Sequence, residues 1–260
     1  MRPKVSVIIP CYNYDKYIEQ CLLSVIVQRT TFPIEIVIGD DNSTDNSFHI
    51  ANRVKSLYEN NFIQFKIYKN SENLGEVKNT KKLLENSIGQ YVAYLDADDY
   101  WITPDKLQKQ VDFMDKNPNC AMCVTGYISL ENGNFVPTND LSYWLCILDK
   151  SSESLTKINK VGSSSSRLFR NYNNLIKDYF IHFPFSDWPL NFELSLLGDI
   201  EYLDYPTYIY RIHDNSLSKA ESHLEKNELD ELHNKRCNIL ESILEDFNRQ
   251  KFNSHLTYNI

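Results

Sequence analysis

Four apolar, β-branched runs recur in the first hundred residues: "KVSVIIP" (4–10), "IEIVIGD" (34–40), "FIQFKIY" (62–68) and "QYVAYLD" (90–96). The intervals between them have helical periodicity. After the first run, Tyr17, Ile18, Cys21, Leu22, Val25 and Ile26 fall on one helical face, with Asp15 placed to cap it. Residues 45–59 and 76–87 read as a second and a third helix, and Pro104 opens a fourth that continues to about Lys116. Strands that alternate with helices build βαβ units and a mainly parallel sheet. Such a sheet takes its ligands in the crevice beyond the carboxyl ends of its strands. Three polar turns fall there, "CYNYD", "GDDNSTD" and "DADDYW", so distant stretches of sequence are expected to meet at one site.

The pattern changes after residue 120. "CAMCVTGYISLENGNFVP" reads as a hairpin around Asn132-Gly133. The Ser-rich "GSSSSRLFR", the aromatic "YFIHFPFSDWPL" and "YPTYIYRIHDNSLS" follow, and residues 221–250 are charged and helical. The boundaries are therefore a nucleotide-type half over 1–120, an acceptor-type half over 121–218, and a helical C-terminal tail over 219–260.

Composition narrows the function. A net charge of −8 without a basic stripe argues against a nucleic-acid partner. No apolar stretch approaches the ~20 residues that span a bilayer. The opening "MRPKVSVIIP" ends at Pro10 without a small-residue cleavage site and reads as a first strand. Six Cys at 11, 21, 120, 123, 146 and 237 show no framework spacing, and Cys120-x-x-Cys123 lies within a strand pattern rather than a zinc or redox motif. A reducing cytoplasm is the expected compartment.

"YLDADDYW" (94–101) crowds Asp96, Asp98 and Asp99 into four residues. Ionised, they repel one another, and more strongly where solvent is scarce. A core gains nothing from them, so a cation is expected to compensate. Hard divalent ions want oxygen ligands.

Together, "VSVIIPCYNYDKYIEQCLLSVIVQ", "IEIVIGDDNSTDNS", "NLG" at 73–75, "GQYVAYLDADDYW" and "PDKLQKQVDFM" resemble family 2 glycosyltransferases of the GT-A, nucleotide-diphospho-sugar transferase fold. "FSDWPL" and "YRIHDNSLS" extend the similarity to about residue 218, whereas Asn79–Lys82 depart from the Ala-Arg-Asn common after "NLG". The resemblance implies an α/β GT-A fold: a Rossmann-like, mainly parallel sheet flanked by helices, a mixed acceptor-side half and the helical tail. It implies an inverting, metal-dependent hexosyltransferase using Mn2+ or Mg2+. The donor is a nucleotide sugar, UDP-linked by preference, and the acceptor a glycan or lipid-linked sugar in polysaccharide biosynthesis. Peripheral association with the inner face of the membrane is left open.

By that resemblance Asp98 is the direct metal ligand, Asp96 contacts the ribose or a metal-bound water, and Asp99 supports the loop. Asp41 reads the base, with Pro10 and Tyr12 flanking it. A buried carboxylate accepts N–H bonds, which suits uracil or guanine and excludes the bare N3 of cytosine. The segment "YRIHD" is expected to supply Arg211 to the phosphates and His213 to the metal. Lys78 is a candidate for neutralising diphosphate charge. Of the aromatic residues Tyr143, Trp144, Phe185 and Trp188, only Trp188 is expected to face the acceptor. Inversion needs a general base, and Asp187, beside Phe185 and Trp188, is the candidate; helix capping is its alternative role.

Two rivals remain at this level. A sugar-1-phosphate nucleotidyltransferase shares the α/β plan but wants a Gly-rich, basic loop after the first strand, and "CYNYDKY" has no Gly. A catalytically inactive carbohydrate-binding GT-A domain has no use for Asp187, His213 and an intact Asp-x-Asp together.

Overall fold

The computed structural model describes residues 1–131, 133–136, 150–159, 161, 163–214 and 224–257. Strands β1 (Val5–Cys11), β2 (Ile34–Asp40), β3 (Ile63–Lys69) and β4 (Tyr91–Tyr94) are parallel neighbours in the order β3-β2-β1-β4. Helices α1 (Ile18–Ile26), α2 (Ser47–Tyr58) and α3 (Glu76–Glu85) connect them, and α4 (Lys106–Lys116) follows the short β5 (Tyr100–Trp101). Beyond β4 the sheet continues through β8 (Leu168–Arg170), β6 (Cys120–Glu131) and β9 (Asp199–Ile212) to β5. β8 is antiparallel to both its neighbours, while β9 is parallel to β6 and antiparallel to β5. Helices α5 (Ser152–Leu155), α6 (Asp187–Leu197) and α7 (Lys226–Thr257) complete the fold. The architecture is the expected one: a parallel first half, a mixed second half and a C-terminal helix.

Alternation along β1 explains why its sequence is almost wholly apolar. Val5, Val7 and Ile9 pack with Ile18, Leu22, Val25 and the apolar faces of α2 and α4. Ile8 points to the other side, where Leu83 of α3 and residues of α6 and α7 cover the sheet. A parallel strand buried on both faces has no polar face to show. Leu240 buries α7 in this second layer, and Arg236 Nε donates to the His182 carbonyl at 3.2 Å. Among the described residues, no helix is long and apolar enough to cross a membrane.

Local chemistry departs from the expectations at a few points. Asp15 does not cap α1; the carbonyl of Tyr14 accepts from the N–H groups of Tyr17 and Ile18, and the N–H of Asp15 donates to Asp45 Oδ2 at 2.9 Å. β6 forms the expected hairpin with β7 (Asn134–Val136), Glu131 opposite Asn134, with Gly133 in the left-handed region at φ 79°. Asn132, Tyr143 and Trp144 lie outside the described residues. Cys120 and Cys123 sit buried on β6, and burial pushes the Cys120 thiol up to about 11 and Cys123 higher still. That state suits neither thiolate redox chemistry nor zinc.

The register of β9 positions the site. It pairs Leu203 with Thr125 but Pro206 with Gly126 and Tyr208 with Tyr127, so extra residues bulge out of β9 between them. Pro206 is tolerated at such an irregularity. Past the bulge, Tyr208 and Ile209 pair with Trp101 and Tyr100 of β5, and the strand runs on toward the turn after β4.

Beneath that turn lies Lys106, fully buried at the start of α4. Its Nζ donates to Gln110 Oε1 (2.6 Å) and, at 3.4 Å, to the Ser166 carbonyl, 4.4 Å from the Trp101 ring centroid. Burial pushes its pKa down to about 7. Between pH 7 and the ordinary lysine value the unfolded chain binds a proton that the folded chain does not, so stability rises with pH across that window. Below pH 7 the full cost of burying the charge is present. Lys106→Met removes this dependence. Its advantage over wild type should be greatest at pH 6 and shrink by on the order of 4 kcal/mol towards pH 10, at ~1.4 kcal/mol per unit. Urea unfolding of both proteins across that range measures it, and an advantage independent of pH refutes it.

Candidate active site

Cys11 lies opposite Asp40 and Ile8 opposite Tyr94, so the carboxyl ends of β1, β2 and β4 lie side by side. Their turns meet at a cavity of about 920 Å³. Its wall comprises residues 10–14, Asp41, the start of α3 and the turn after β4, joined from the second half by Asp187, Tyr210 and Arg211. The first two turns are laced together. Asn13 and Asn42 take left-handed backbone angles (φ 59° and 61°), which Asn tolerates better than most residues. Asn13 N donates to Ser43 Oγ (3.0 Å) and its side-chain oxygen accepts from Thr44 N (2.8 Å). Ser43 and Thr44 therefore serve the neighbouring turn, while Asp45 Oδ1 receives Ser47 N at the start of α2 (2.9 Å).

The three crowded aspartates have different surroundings. Asp99 is 1% exposed; Oδ1 accepts from Arg211 N (2.9 Å) and Oδ2 from Ser165 Oγ (2.7 Å). Ser165 Oγ also accepts Asp96 N (3.1 Å) and lies 3.2 Å from Asp96 Oδ2. Burial pushes the Asp96 carboxyl up to about 8, reinforced by the charges of Asp98 and Glu76 and opposed by Arg167. Burial, then Asp98 and Asp96, raise Asp99 well above the carboxylate range. Asp98 borders the cavity, with Oδ2 3.1 Å from His213 Nε2.

Three cationic or cation-forming groups surround this cluster. The Arg211 guanidinium lies 5.0 and 4.5 Å from the ring centroids of Tyr17 and Tyr100, donating to the Asp98 carbonyl and to Gln20 Oε1. His213 stacks on Tyr17 at 5.0 Å. Arg167, fully buried, acts on Asp96 and places Nη2 3.9 Å from Asp187 Oδ2. Among the described residues, no three His, Cys, Asp or Glu side chains converge as a complete metal cage. The Asp98–His213 pair nevertheless fits a hard or borderline divalent ion that draws its remaining ligands from phosphate and water.

Three further carboxylates line the cavity: Asp41, Glu76 and Asp187. Asp41 accepts Asn70 Nδ2 (2.8 Å) and Leu74 N (2.8 Å) on Oδ1, and Gly75 N (2.9 Å) on Oδ2. It thus moors the "NLG" segment, and of about four lone-pair sites it keeps one for a ligand. Asn79 is drawn against β2: its Nδ2 donates to the Gly39 carbonyl at 2.9 Å, and a Cβ at Gly39 would fall 2.4 Å from Asn79 Oδ1. Asp187 is the first residue of α6, makes no cap, and accepts Asn159 Nδ2 on Oδ2 at 2.7 Å.

The family model described as Glycosyl transferase family 2 matches residues 6–176. The chain belongs to that family. Over 111 residues it is 37% identical to WfaP of Escherichia coli, a UDP-Glc:alpha-D-GlcNAc-diphosphoundecaprenol beta-1,3-glucosyltransferase, covering 43% of this chain and 41% of WfaP. In structure it is similar to TarS 1–349 of S. aureus, solved with UDP-GlcNAc: TM-score 0.65, 24% identity, 88% of this chain and 64% of that one. It is also similar to the mannosyltransferase PcManGT of Pyrobaculum calidifontis, solved with GDP-Man and Mn2+: TM-score 0.61, 17% identity, 85% and 60% coverage. These two likenesses establish the GT-A fold. The chain spans about a third to a half of the length of the first curated relatives it matches.

Within this family 2 domain, Pro10, Tyr12, Asp41, Asp96, Asp98, Asp187 and Arg211 all line one cavity, and His213 joins it through Asp98. Two expected residues do not. Lys78 is exposed on α3 and is not among the lining residues, because the cavity takes the first turn of that helix through Glu76 and Asn79. Trp188 is turned into the packing between α6 and α7: its Nε1 donates to the Leu155 carbonyl (2.8 Å) and its ring stacks on His233 at 5.4 Å. Tyr127, Phe185 and Tyr210 are the aromatic residues on the second-half wall. Glu76, Ser165 and Arg167 went unread in the sequence. Only the Arg in "SSSSRLFR", within an apolar alternation, gave any signal.

Ser165→Ala would leave Oδ2 of buried Asp99 without a donor and Asp96 N without its acceptor, which should destabilise the protein by ~1–3 kcal/mol. Urea denaturation measures this, and a change below ~0.5 kcal/mol would show that Ser165 is not what holds the pair.

Proposed function

We propose that the chain transfers a sugar, with inversion, from a nucleoside-diphosphate sugar to a hydroxyl of a glycan or lipid-linked acceptor in polysaccharide biosynthesis. The observation that carries this is a single cavity holding the Asp98–His213 pair and, from a separate element, the Asp187 carboxylate, whose Oδ1 accepts no hydrogen bond among the described residues. A divalent ion of the Mn2+ or Mg2+ kind at Asp98 and His213 would supply Lewis-acid neutralisation of the diphosphate. Asp96 faces the ribose or a metal-bound water, and Arg211 offers its guanidinium to the phosphates. Asp41, with its remaining acceptor site, takes the N–H of a uracil base between Pro10 and Tyr12. Asp187 removes the acceptor proton in a single displacement.

The UDP-GlcNAc of TarS and the UDP-Glc of WfaP support a UDP-linked donor, and the diphosphoundecaprenol substrate of WfaP supports a lipid-linked acceptor. The Mn2+ of PcManGT supports the metal. A lipid-linked acceptor would bring the domain to a membrane surface from the cytoplasmic side.

Release of nucleoside diphosphate from a panel of nucleotide sugars, with and without Mn2+, tests the whole reading. Asp98→Ala should abolish metal-dependent turnover while apo stability holds or rises, because removing one charge relieves Asp96 and Asp99. Full activity of that variant in chelator would refute metal dependence. Asp187→Asn keeps the side chain's shape but cannot take a proton, so kcat should fall ~10²–10⁴-fold with donor KM and Tm nearly unchanged. Wild-type kcat there would remove Asp187 from the role of base.

A further inference from the structure

Glu76 opens α3 and lines the cavity, yet nothing in the proposed chemistry uses it. Its contacts define what it can do. Oε1 accepts from Thr80 Oγ1 (2.8 Å), Tyr94 OH (2.8 Å) and Ser186 Oγ (2.6 Å), and Oε2 accepts from Ser186 N (2.7 Å). Three donors crowd Oε1 and one meets Oε2, so the carboxylate is held by four protein donors. A side chain so engaged is placed to hold structure. Its bonds run between the two halves of the domain: Thr80 and Tyr94 belong to the first, and Ser186 lies 110 positions along the chain. Ser186 immediately precedes Asp187 and occupies the N-cap position of α6 without capping it through its own side chain.

We propose that Glu76 is the positioning residue for Asp187. By taking both the N–H and the hydroxyl of Ser186, it fixes the first turn of α6 against α3 and β4, and so fixes where the Asp187 carboxylate enters the cavity. Among the described residues, the Asp187 side chain has only Asn159 in hydrogen-bond contact, with Arg167 at 3.9 Å. Those contacts hold its side chain, and the Glu76–Ser186 bonds hold the backbone immediately before it. Charge-assisted bonds to an ionised acceptor are the stronger kind, which suits a pin between halves. This inference rests on Asp187 being the base, but the pin itself can be read separately.

Glu76→Ala and Glu76→Gln test it, alone and combined with Asp187→Asn, by UDP release from UDP-glucose or UDP-N-acetylglucosamine with Mn2+ and by amide hydrogen exchange. Glutamine can still accept Ser186 N through its carbonyl oxygen, while the rotatable hydroxyls accept from its amide. Ala should expose Ser186 N to fast exchange and lower kcat ~10–100-fold with donor KM within about twofold, since displacements near 1 Å carry penalties of that size. Gln should restore most of both. On the Asp187→Asn background the Ala substitution should have little further effect, because both changes disable the same group. Unchanged exchange at Ser186 overturns the pin whatever the activity. An equal kcat loss in both backgrounds overturns its action through Asp187. Wild-type kcat in Asp187→Asn alone defeats the base assignment, and the exchange result then still decides the pin.

Discussion

Electrostatic repulsion among Asp96, Asp98 and Asp99 is the constraint around which the second half of the domain is arranged. Carboxylates this close cannot all be ionised and buried without compensation. Compensation arrives from segments far along the chain: Arg211 and His213 from the end of β9, Ser165 from the turn before β8, and Arg167 behind them. Past its bulge, β9 stays paired with β6 on one edge while Tyr208 and Ile209 pair with β5 on the other, and this carries Arg211 to Asp98 and Asp99.

The site divides labour between carboxylates by how fully each is satisfied. Glu76, held by four protein donors, and Asp99, buried and held by Arg211 N and Ser165 Oγ, act as structure. Asp41 keeps one acceptor position, and Asp98 and Asp187 keep more. A family 2 glycosyltransferase thus contains acids of one chemical type in two conditions, and the hydrogen-bond inventory separates them where residue identity does not.

The first half was legible because hydrophobic period is a local property. Each of the four parallel strands begins within a residue of its expected start, and the three connecting helices follow the 3.6-residue pattern. Helix starts were less legible. Residues 45–59 tightened to Ser47–Tyr58 because Asp45 bonds ahead of the helix rather than within it. β8, three residues long inside a Ser-rich run, carries too little periodicity to be read at all. In the site, Asp96, Asp98 and Asp41 announced themselves by standing at strand ends. Ser165 and Glu76 could not, since their roles exist only through partners 66 and 110 positions away. Trp188 misled for a related reason: an indole suits a sugar face or a protein interior equally well, and its N–H found the Leu155 carbonyl.

Arg211 bonds to Gln20 across 191 positions and to Asp98 across 113. Contacts of that span form late in folding, because the loop they close must first be paid for in entropy. A nascent chain released only to the end of α4 would already possess β1, β2 and β4 and the whole acidic turn, with none of its cations. The cavity is therefore completed by the last strand to arrive. Until β9 docks, the acidic turn lacks Arg211 and His213, and its excess negative charge would favour capture of stray divalent ions.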